Sequence, residues 1–396
     1  MNTRFDNATI ISLLAFTGLA VVAQLYLSIP LLSTLERTFN VSRGAASWFG
    51  SAFGFAYAVG FLIFGPLSDR YGRKRVFVPG LFVLAATTLA TGFASSFAIL
   101  ILLRVAQGFA AATFAPAALS YLSDVLPPQM RTTGIAFMTT GFLLAGILGQ
   151  IYAEVLSLAY GWSAVFWVLA ALYTLLFILA MRLPAGAPPD ASLSALDVYR
   201  NMVRLMRNGS LLAAYAAALT LLFTFVAMYS GLGSYLQGSF GVNREQLLFV
   251  RLAGVPGMLL SPLAGPFVAR FGSKRVIMAA LSAAALGLIF EAVSGPLWWV
   301  VAASALFVAG IAVAVPALIG FVGNLAGAAR GAGIALYTFV LFVGASLGPL
   351  AATWLQPLGF APLYGFLALT LLIATFLLMF TQPRTTPVQM GTRSSQ

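Results

Sequence analysis

The chain has 396 residues, 61% of them hydrophobic and only 8% charged, with a net charge of +12. Soluble domains carry about a quarter charged residues, so this composition excludes a water-exposed globular surface and specifies an integral membrane protein. There is no cysteine and no histidine. Disulfides, thiol catalysis and thiolate metal sites are therefore excluded, and any group that titrates near neutrality has to be a carboxylate.

Apolar stretches of about 20 residues, the length that crosses a bilayer, fall at 9–32, 46–67, 76–96, 98–121, 134–156, 163–182, 210–232, 247–268, 275–295, 297–322, 333–356 and 362–380. The predicted fold is an all-α membrane protein of twelve transmembrane helices, arranged as two six-helix pseudo-repeats. The N-terminal bundle covers residues 1–182 and the C-terminal bundle 209–380. Between them, residues 183–208 form a linker that is Pro-rich and then basic, and Ser192–Met206 is expected to be a short amphipathic helix on the membrane surface. Residues 381–396 are expected to be a flexible cytoplasmic tail. The first span is too long, and too polar at its end, for a cleaved signal sequence.

The loops on the side of the termini, with the termini themselves, hold sixteen Arg and Lys. The opposite loops hold three: Arg37, Arg43 and Arg244. This asymmetry predicts that both termini are cytoplasmic. The +12 charge, which in a soluble chain would suggest nucleic acid, is thus a matter of topology, and the expected partner is the lipid bilayer, with the protein a monomer in a bacterial cytoplasmic membrane.

The string GPLSDRYGRKRV at 65–76 returns 200 residues later as GPFVARFGSKRV at 265–276. RTTGIA at 131–136 returns as RGAGIA at 330–335, and Pro116-Ala117 as Pro316-Ala317. Six spans per copy start both halves on the same side, which describes a parallel repeat about an axis along the membrane normal. Such halves suit alternating access. Glycines recur in spans 2, 5, 8 and 11, and small residues permit close helix approach in lipid, so these spans are expected to form the contacts between halves.

Gly65-Pro66-Leu67-Ser68-Asp69-Arg70-Tyr71-Gly72-Arg73-Lys74-Arg75 resembles the signature loop of the major facilitator superfamily, and Arg104-Val105-Ala106-Gln107-Gly108 resembles its second motif. The resemblance covers the whole chain and is similar in look to the twelve-span drug:proton antiporter and sugar-efflux branch. That branch carries a Gly-Pro pair in span 5, whereas here span 5 reads GFLLAGILGQ and the Gly-x-x-x-Gly-Pro string lies in span 11, at Gly344 to Pro349. In the family, spans 1, 4, 7 and 10 line the central cavity and the span 4 arginine is associated with proton coupling.

Four ionisable residues fall within spans, Arg104, Glu154, Arg251 and Glu291, and each is a functional candidate by default. At about 1.5 Å per residue all four belong to the outer half of the bilayer. Thr17, Gln24 and Ser28 share one helical stripe, so Arg104 is expected to face the cavity near Gln24; a structural arginine bonded to span 1 backbone is the competing reading. The expected substrate cavity comprises Thr17, Gln24, Phe53, Tyr57, Arg104, Gln107, Thr220, Thr224 and Tyr337. Glu154, Arg251 and Glu291 are expected to serve a periplasmic gate or proton coupling, with Glu154 and Arg251 pairing across the halves or else each reaching the surface separately. Asp69, Arg70, Arg73, Asp124 and Arg131 are expected to form a cytoplasmic gate. In it, Asp69, replaced by Ala269 in the second copy, would face the start of span 11 near Gly331 and Gly333, where a helix N-terminus favours an anion.

No G-x-x-x-x-G-K-[ST] string is present, so the chain is not by itself an ATP-driven pump. No carboxylate cluster suits a hard cation. Neither cofactor, nor metal, nor enzymatic activity is expected. The leading reading is export of a small organic or amphipathic molecule, with protons as the counter-ion. A facilitator or importer of a neutral or anionic metabolite, and a non-transporting membrane sensor, remain open.

Overall fold

A computed structural model describes residues 5–186, 195–293 and 295–381. The end of the expected tail, 382–396, and part of the linker lie outside the described residues. Among these there are twelve helical segments long and apolar enough to cross a membrane. Spans 1 to 6 are Asn7–Tyr26, Arg43–Tyr71, Arg73–Thr91, Phe97–Val125, Pro128–Tyr160 and Trp162–Met181. Spans 7 to 12 are Gly209–Phe240, Gln246–Phe271, Ser273–Ala292, Leu297–Ala326, Arg330–Leu358 and Phe360–Met379. A linker helix occupies Ala195–Leu205, within the stretch predicted from the sequence.

Local chemistry sets where these helices start and bend. Asp6 caps span 1 by accepting from the Thr9 amide, and Ser42 caps span 2 through the Ala45 amide; a short side-chain acceptor satisfies an amide the helix leaves free. Span 1 is followed directly by a second helix, Ser28–Thr38, that carries Pro30. Span 4 is interrupted before Pro116, and span 8 breaks into short pieces around Pro256, Pro262 and Pro266. Proline removes an intrahelical bond and crowds the preceding turn. Spans 2 and 3, and likewise spans 8 and 9, are joined by a single glycine with positive φ, Gly72 at 98° and Gly272 at 82°, a conformation that L side chains rarely adopt.

Packing repeats with the sequence. Span 1 lies on span 5 and span 3 on span 6; in the second half span 7 lies on span 11 and span 9 on span 12. Across the halves, span 2 packs on span 11 and span 8 on span 5. Twelve crossings put both ends of the helical body on one side of the membrane, called here the terminus side.

The glycine-rich spans divide between two tasks. Gly54 of span 2 faces Ser346 of span 11 so closely that an added methyl would sit 2.3 Å from its hydroxyl, and Gly146 of span 5 faces Phe225 and Met258 of the second half. These are contacts between halves, as the sequence led one to expect. Gly344, however, meets Leu219 backbone on span 7, and Gly141 meets Ala15 backbone on span 1. Half of the pattern therefore serves packing within a bundle, which corrects the expectation that it marks only the interface.

Candidate functional site: three polar clusters and an aromatic seam

The first cluster surrounds Arg104. Its guanidinium is fully buried and donates to Gln24 Oε1 at 2.8 Å, the Gln24 carbonyl at 2.7 Å, the Phe49 carbonyl at 3.1 Å and Gln107 Oε1 at 2.9 Å. The rings of Phe49 and Phe53 lie 4.5 and 4.4 Å from its central carbon, within cation–π range. The two amides are oriented in turn by span 3: Gln24 Nε2 donates to Thr88 Oγ1, and Gln107 Nε2 donates to Thr88 and Thr91 Oγ1. Thr88 and Thr91 were missed from sequence, although their i, i+3 spacing puts them on one helical face. Among the described residues no carboxylate partners Arg104, so its charge is carried by neutral acceptors and two rings.

The second cluster crosses the halves. Arg251 Nη1 donates to Glu154 Oε2 at 3.0 Å, with Arg251 2% and Glu154 5% exposed. The two do not reach the surface separately. Close by, Gly254 is placed so that an added methyl would lie 2.7 Å from the Tyr229 hydroxyl and 2.8 Å from Ile147. Glu291 is not part of this ion pair. It is buried in the second half, where Ser304 Oγ donates to its Oε1 at 2.5 Å.

The third cluster lies on the terminus side. Arg73 forms an ion pair with Asp124, donates to the Ser120 carbonyl at 3.2 Å, and lies 3.5 Å from Asp69. It ties the loop between spans 2 and 3 to the end of span 4. Arg70 instead covers the Tyr71 ring and Arg131 donates to the Leu126 carbonyl, so these two do not join. Nor does Asp69 meet the start of span 11: an added methyl at Gly331 would face open space, and Gly333 is packed against Ala326 and Leu205. The expected contact between Asp69 and span 11 is thus not made in this conformation.

The nine residues expected to line a cavity separate accordingly. Gln24, Phe53, Arg104 and Gln107 converge in the first cluster. Tyr57 joins an aromatic seam between halves, with Phe61 at 4.5 Å and Phe342 of span 11 at 4.7 Å between ring centroids. Thr17, Thr220 and Thr224 bond to carbonyls of their own helices, and Tyr337 donates to the Val315 carbonyl of span 10 at 3.3 Å. All nine are buried. They do not line one open cavity here, because the far-side halves of the two bundles are pressed together along spans 2 and 11. Ser51 also donates across this seam, to the Ser346 carbonyl at 2.7 Å.

The repeated motif has a repeated use that its sequence only suggested. Lys74 donates to the Met181 carbonyl at 2.9 Å and to the Leu183 carbonyl; Lys274 donates to the Met379 and Thr381 carbonyls at 2.7 and 2.8 Å. Each lysine caps the last span of its own half, where helix carbonyls lack partners.

Twelve spans, a repeat of six, and a signature loop tied to the end of span 4 define a membrane transporter built from two equivalent bundles. The sequence model of the Major Facilitator Superfamily matches residues 14–260 and 247–395, and the chain belongs to that superfamily. It is similar to the uncharacterized MFS-type transporter YceJ of Bacillus subtilis, 29% identical over 359 residues, which cover 88% of this chain and 90% of that one. It is also similar to the inner membrane transport protein YnfM of Escherichia coli, 27% identical over 267 residues, covering 66% and 63% of the two chains. The putative uncharacterized transporter YgaY of Escherichia coli is 30% identical over 187 residues, covering 47% and 46%.

Proposed function

We propose that this transporter exports a small organic or amphipathic molecule from the cytoplasm by alternating access, as a monomer, in exchange for protons. The observation that carries this reading is the buried Arg251–Glu154 pair. It joins the two halves on the side away from the termini, and it can exist only while that side is closed. The basic loops on the terminus side support a cytoplasmic reading of that side, and the relative YnfM is called an inner membrane transport protein; a bacterial cytoplasmic membrane is the proposed location. The conformation is then inward-facing, with the periplasmic gate shut. Proposed domain limits follow the two bundles, 1–182 and 209–380, with the linker between them.

The Asp69 contact with span 11 belongs, in this reading, to the outward-facing state, and Asp69 is free of span 11 here because that latch is open. Asp69→Asn removes only a partly exposed ion pair with Arg73, so stability changes by less than about 1 kcal/mol. The population moves toward the inward-facing state and transport slows. Transport at the normal rate in that variant would refute the latch.

A transport substrate identified by a thermal-shift screen of diverse compounds tests the main reading. In proteoliposomes, export accelerates when a proton gradient is imposed in the opposite direction. Flux that ignores the gradient establishes a facilitator instead. One observation favours that second reading for an anionic solute: Arg104 is a buried cation beside neutral acceptors only, and a rearrangement that exposed it would present a positive charge to the pathway.

A further inference from the structure

The second half carries no acid on the terminus side. From Asn208 to the end of the chain the acids are Glu245 and Glu291; the first lies just before span 8 and the second at the far end of span 9. At the 200-residue offset of the repeated motif, Asp69 is answered by Ala269, Arg73 by Ser273 and Asp124 by Asn324. The ion-pair cluster of the first half thus has no counterpart in the second. Its basic residues remain, with Arg270, Arg275 and Arg330 in the terminus-side turns and Arg204 and Arg207 in the linker.

A cavity of about 520 Å³ lies between the linker and the end of span 10, a size usual for a small-ligand site. Asn201, Arg204, Arg207 and Asn208 line it from the linker; Leu325 and Ala329 line it from the end of span 10 and the turn into span 11. No acid lines it. Among the described residues neither guanidinium has an ion-pair or hydrogen-bond partner. Asn208 Oδ1 accepts from the Ser210 and Leu211 amides and so caps span 7, which leaves its side-chain NH₂ as a donor.

The linker helix that carries Arg204 is fixed to both halves. The Tyr199 hydroxyl donates to the Leu62 carbonyl of span 2 at 3.1 Å, and Leu205 would lie 3.7 Å from a methyl added at Gly333 of span 11. Tyr199, Val203 and Met206, at i, i+4 and i+7, form an apolar stripe that is 39 to 59% exposed. Around the helix, Arg204 stands between this stripe and Asn201. An exposed apolar stripe edged by arginine is the pattern of a helix lying at the membrane surface. Arginines at that level meet lipid phosphates, and a planar guanidinium can take two phosphate oxygens at once.

We infer that this cavity binds the phosphate of an anionic phospholipid, with Arg204 and Arg207 as its ligands and Asn201 and Asn208 as further donors. Leu205 and Leu325 take the adjoining apolar part of the lipid. A soluble phosphate would use the arginines but neither the apolar lining nor the exposed stripe beside them, and this favours the lipid. The headgroup supplies the negative charge that the terminus side of the second half lacks, and it ties the linker helix to the turn between spans 10 and 11. The site goes beyond the transport reading above and depends neither on the direction of transport nor on its counter-ion.

Titration of the purified full chain, in neutral detergent, with dioctanoyl phosphatidylglycerol tests the site, with bound lipid counted by native mass spectrometry. The wild type binds one lipid more tightly than the rest. Its affinity falls roughly fivefold in Arg204→Gln or in Arg207→Gln, and about thirtyfold in the double variant. Both side chains are exposed and unpaired, so these variants fold. Ala329→Trp fills the cavity with every charge in place and also loses the tight lipid. Arg75→Gln removes a terminus-side charge outside the cavity and keeps it. The inference is overturned if the double variant binds like the wild type, if Ala329→Trp retains the tight lipid, or if Arg75→Gln weakens binding as much as Arg204→Gln, which would mean a diffuse attraction. Dioctanoyl phosphatidylcholine bound equally well would also overturn it, since charge would not be what is recognised. Glycerol 3-phosphate displacing the lipid at equal concentration would assign the cavity to a soluble phosphate instead.

Discussion

Replacing Arg251 by glutamine opens the side away from the termini. Glu154 is left buried and without its cation, and removing one member of a buried pair costs about 3–5 kcal/mol. The pair bridges the halves, so this cost falls on the closed state alone. At 1.4 kcal/mol per tenfold, the equilibrium moves roughly a hundredfold or more toward the state open on the side away from the termini. Glu154→Gln leaves the complementary orphan, a buried guanidinium, and shifts the equilibrium in the same direction. The double variant presents two neutral amides, and it should recover most of the closed population. Alkylation of a cysteine placed in the far-side seam, at Ser51 or Ser346, measures the closed fraction in all four proteins of the cycle. Strictly additive effects would show that the two side chains do not act on one another.

Arg104→Lys is the second large effect. Arginine holds four acceptors with a rigid planar fork, and lysine offers a single ammonium at the end of a flexible stem. Two of the four bonds are lost at about 1–1.5 kcal/mol each, together with stacking between Phe49 and Phe53. The expected loss of stability is about 2–4 kcal/mol, read as earlier thermal unfolding of the purified protein. Gln24 and Gln107 lose their shared donor, so spans 1, 3 and 4 loosen against each other. Undiminished unfolding temperature in Arg104→Lys would mean that the network does not hold the first bundle together. Unlike the gate variants, this one acts within one half, so the distance between halves at constant pH should be the lesser change.

The sequence carried the fold because lipid makes the fold easy to read. Each crossing needs about 20 apolar residues, so span number was legible from hydropathy, and the basic residues gave the expected orientation; limits were not, since the span expected at 9–32 ends at Tyr26 and a separate helix begins at Ser28. The 200-residue repeat gave the two bundles. It also repeats Lys74 as Lys274, but only the structure shows that each caps the last span of its half. Contacts inside a bundle were less accessible. Thr88 and Thr91 are ordinary polar residues in an apolar helix, and only their meeting with Gln24 and Gln107 makes them part of the Arg104 cluster. Gly141 of span 5 and Gly344 of span 11 looked like Gly146 and Gly54, yet they face spans 1 and 7 of their own half, because glycine records that a backbone comes close and not which one.

By itself, the sequence determined that this protein crosses the membrane twelve times, that it does so as two related halves, and that four ionisable residues fall within spans, where their presence demands a reason. Which of them meet was decided by tertiary structure. Glu154 and Arg251 are 97 residues apart and on different halves, and no periodicity within a helix reports a contact between helices. Arg104 turned inward to neutral amides, Asp69 turned to Arg73, and Glu291 was left with one hydroxyl. The physical reason is common to all of them: a charge in a low-dielectric interior must find its partner wherever the packing brings one, and packing depends on how the two bundles are set against each other.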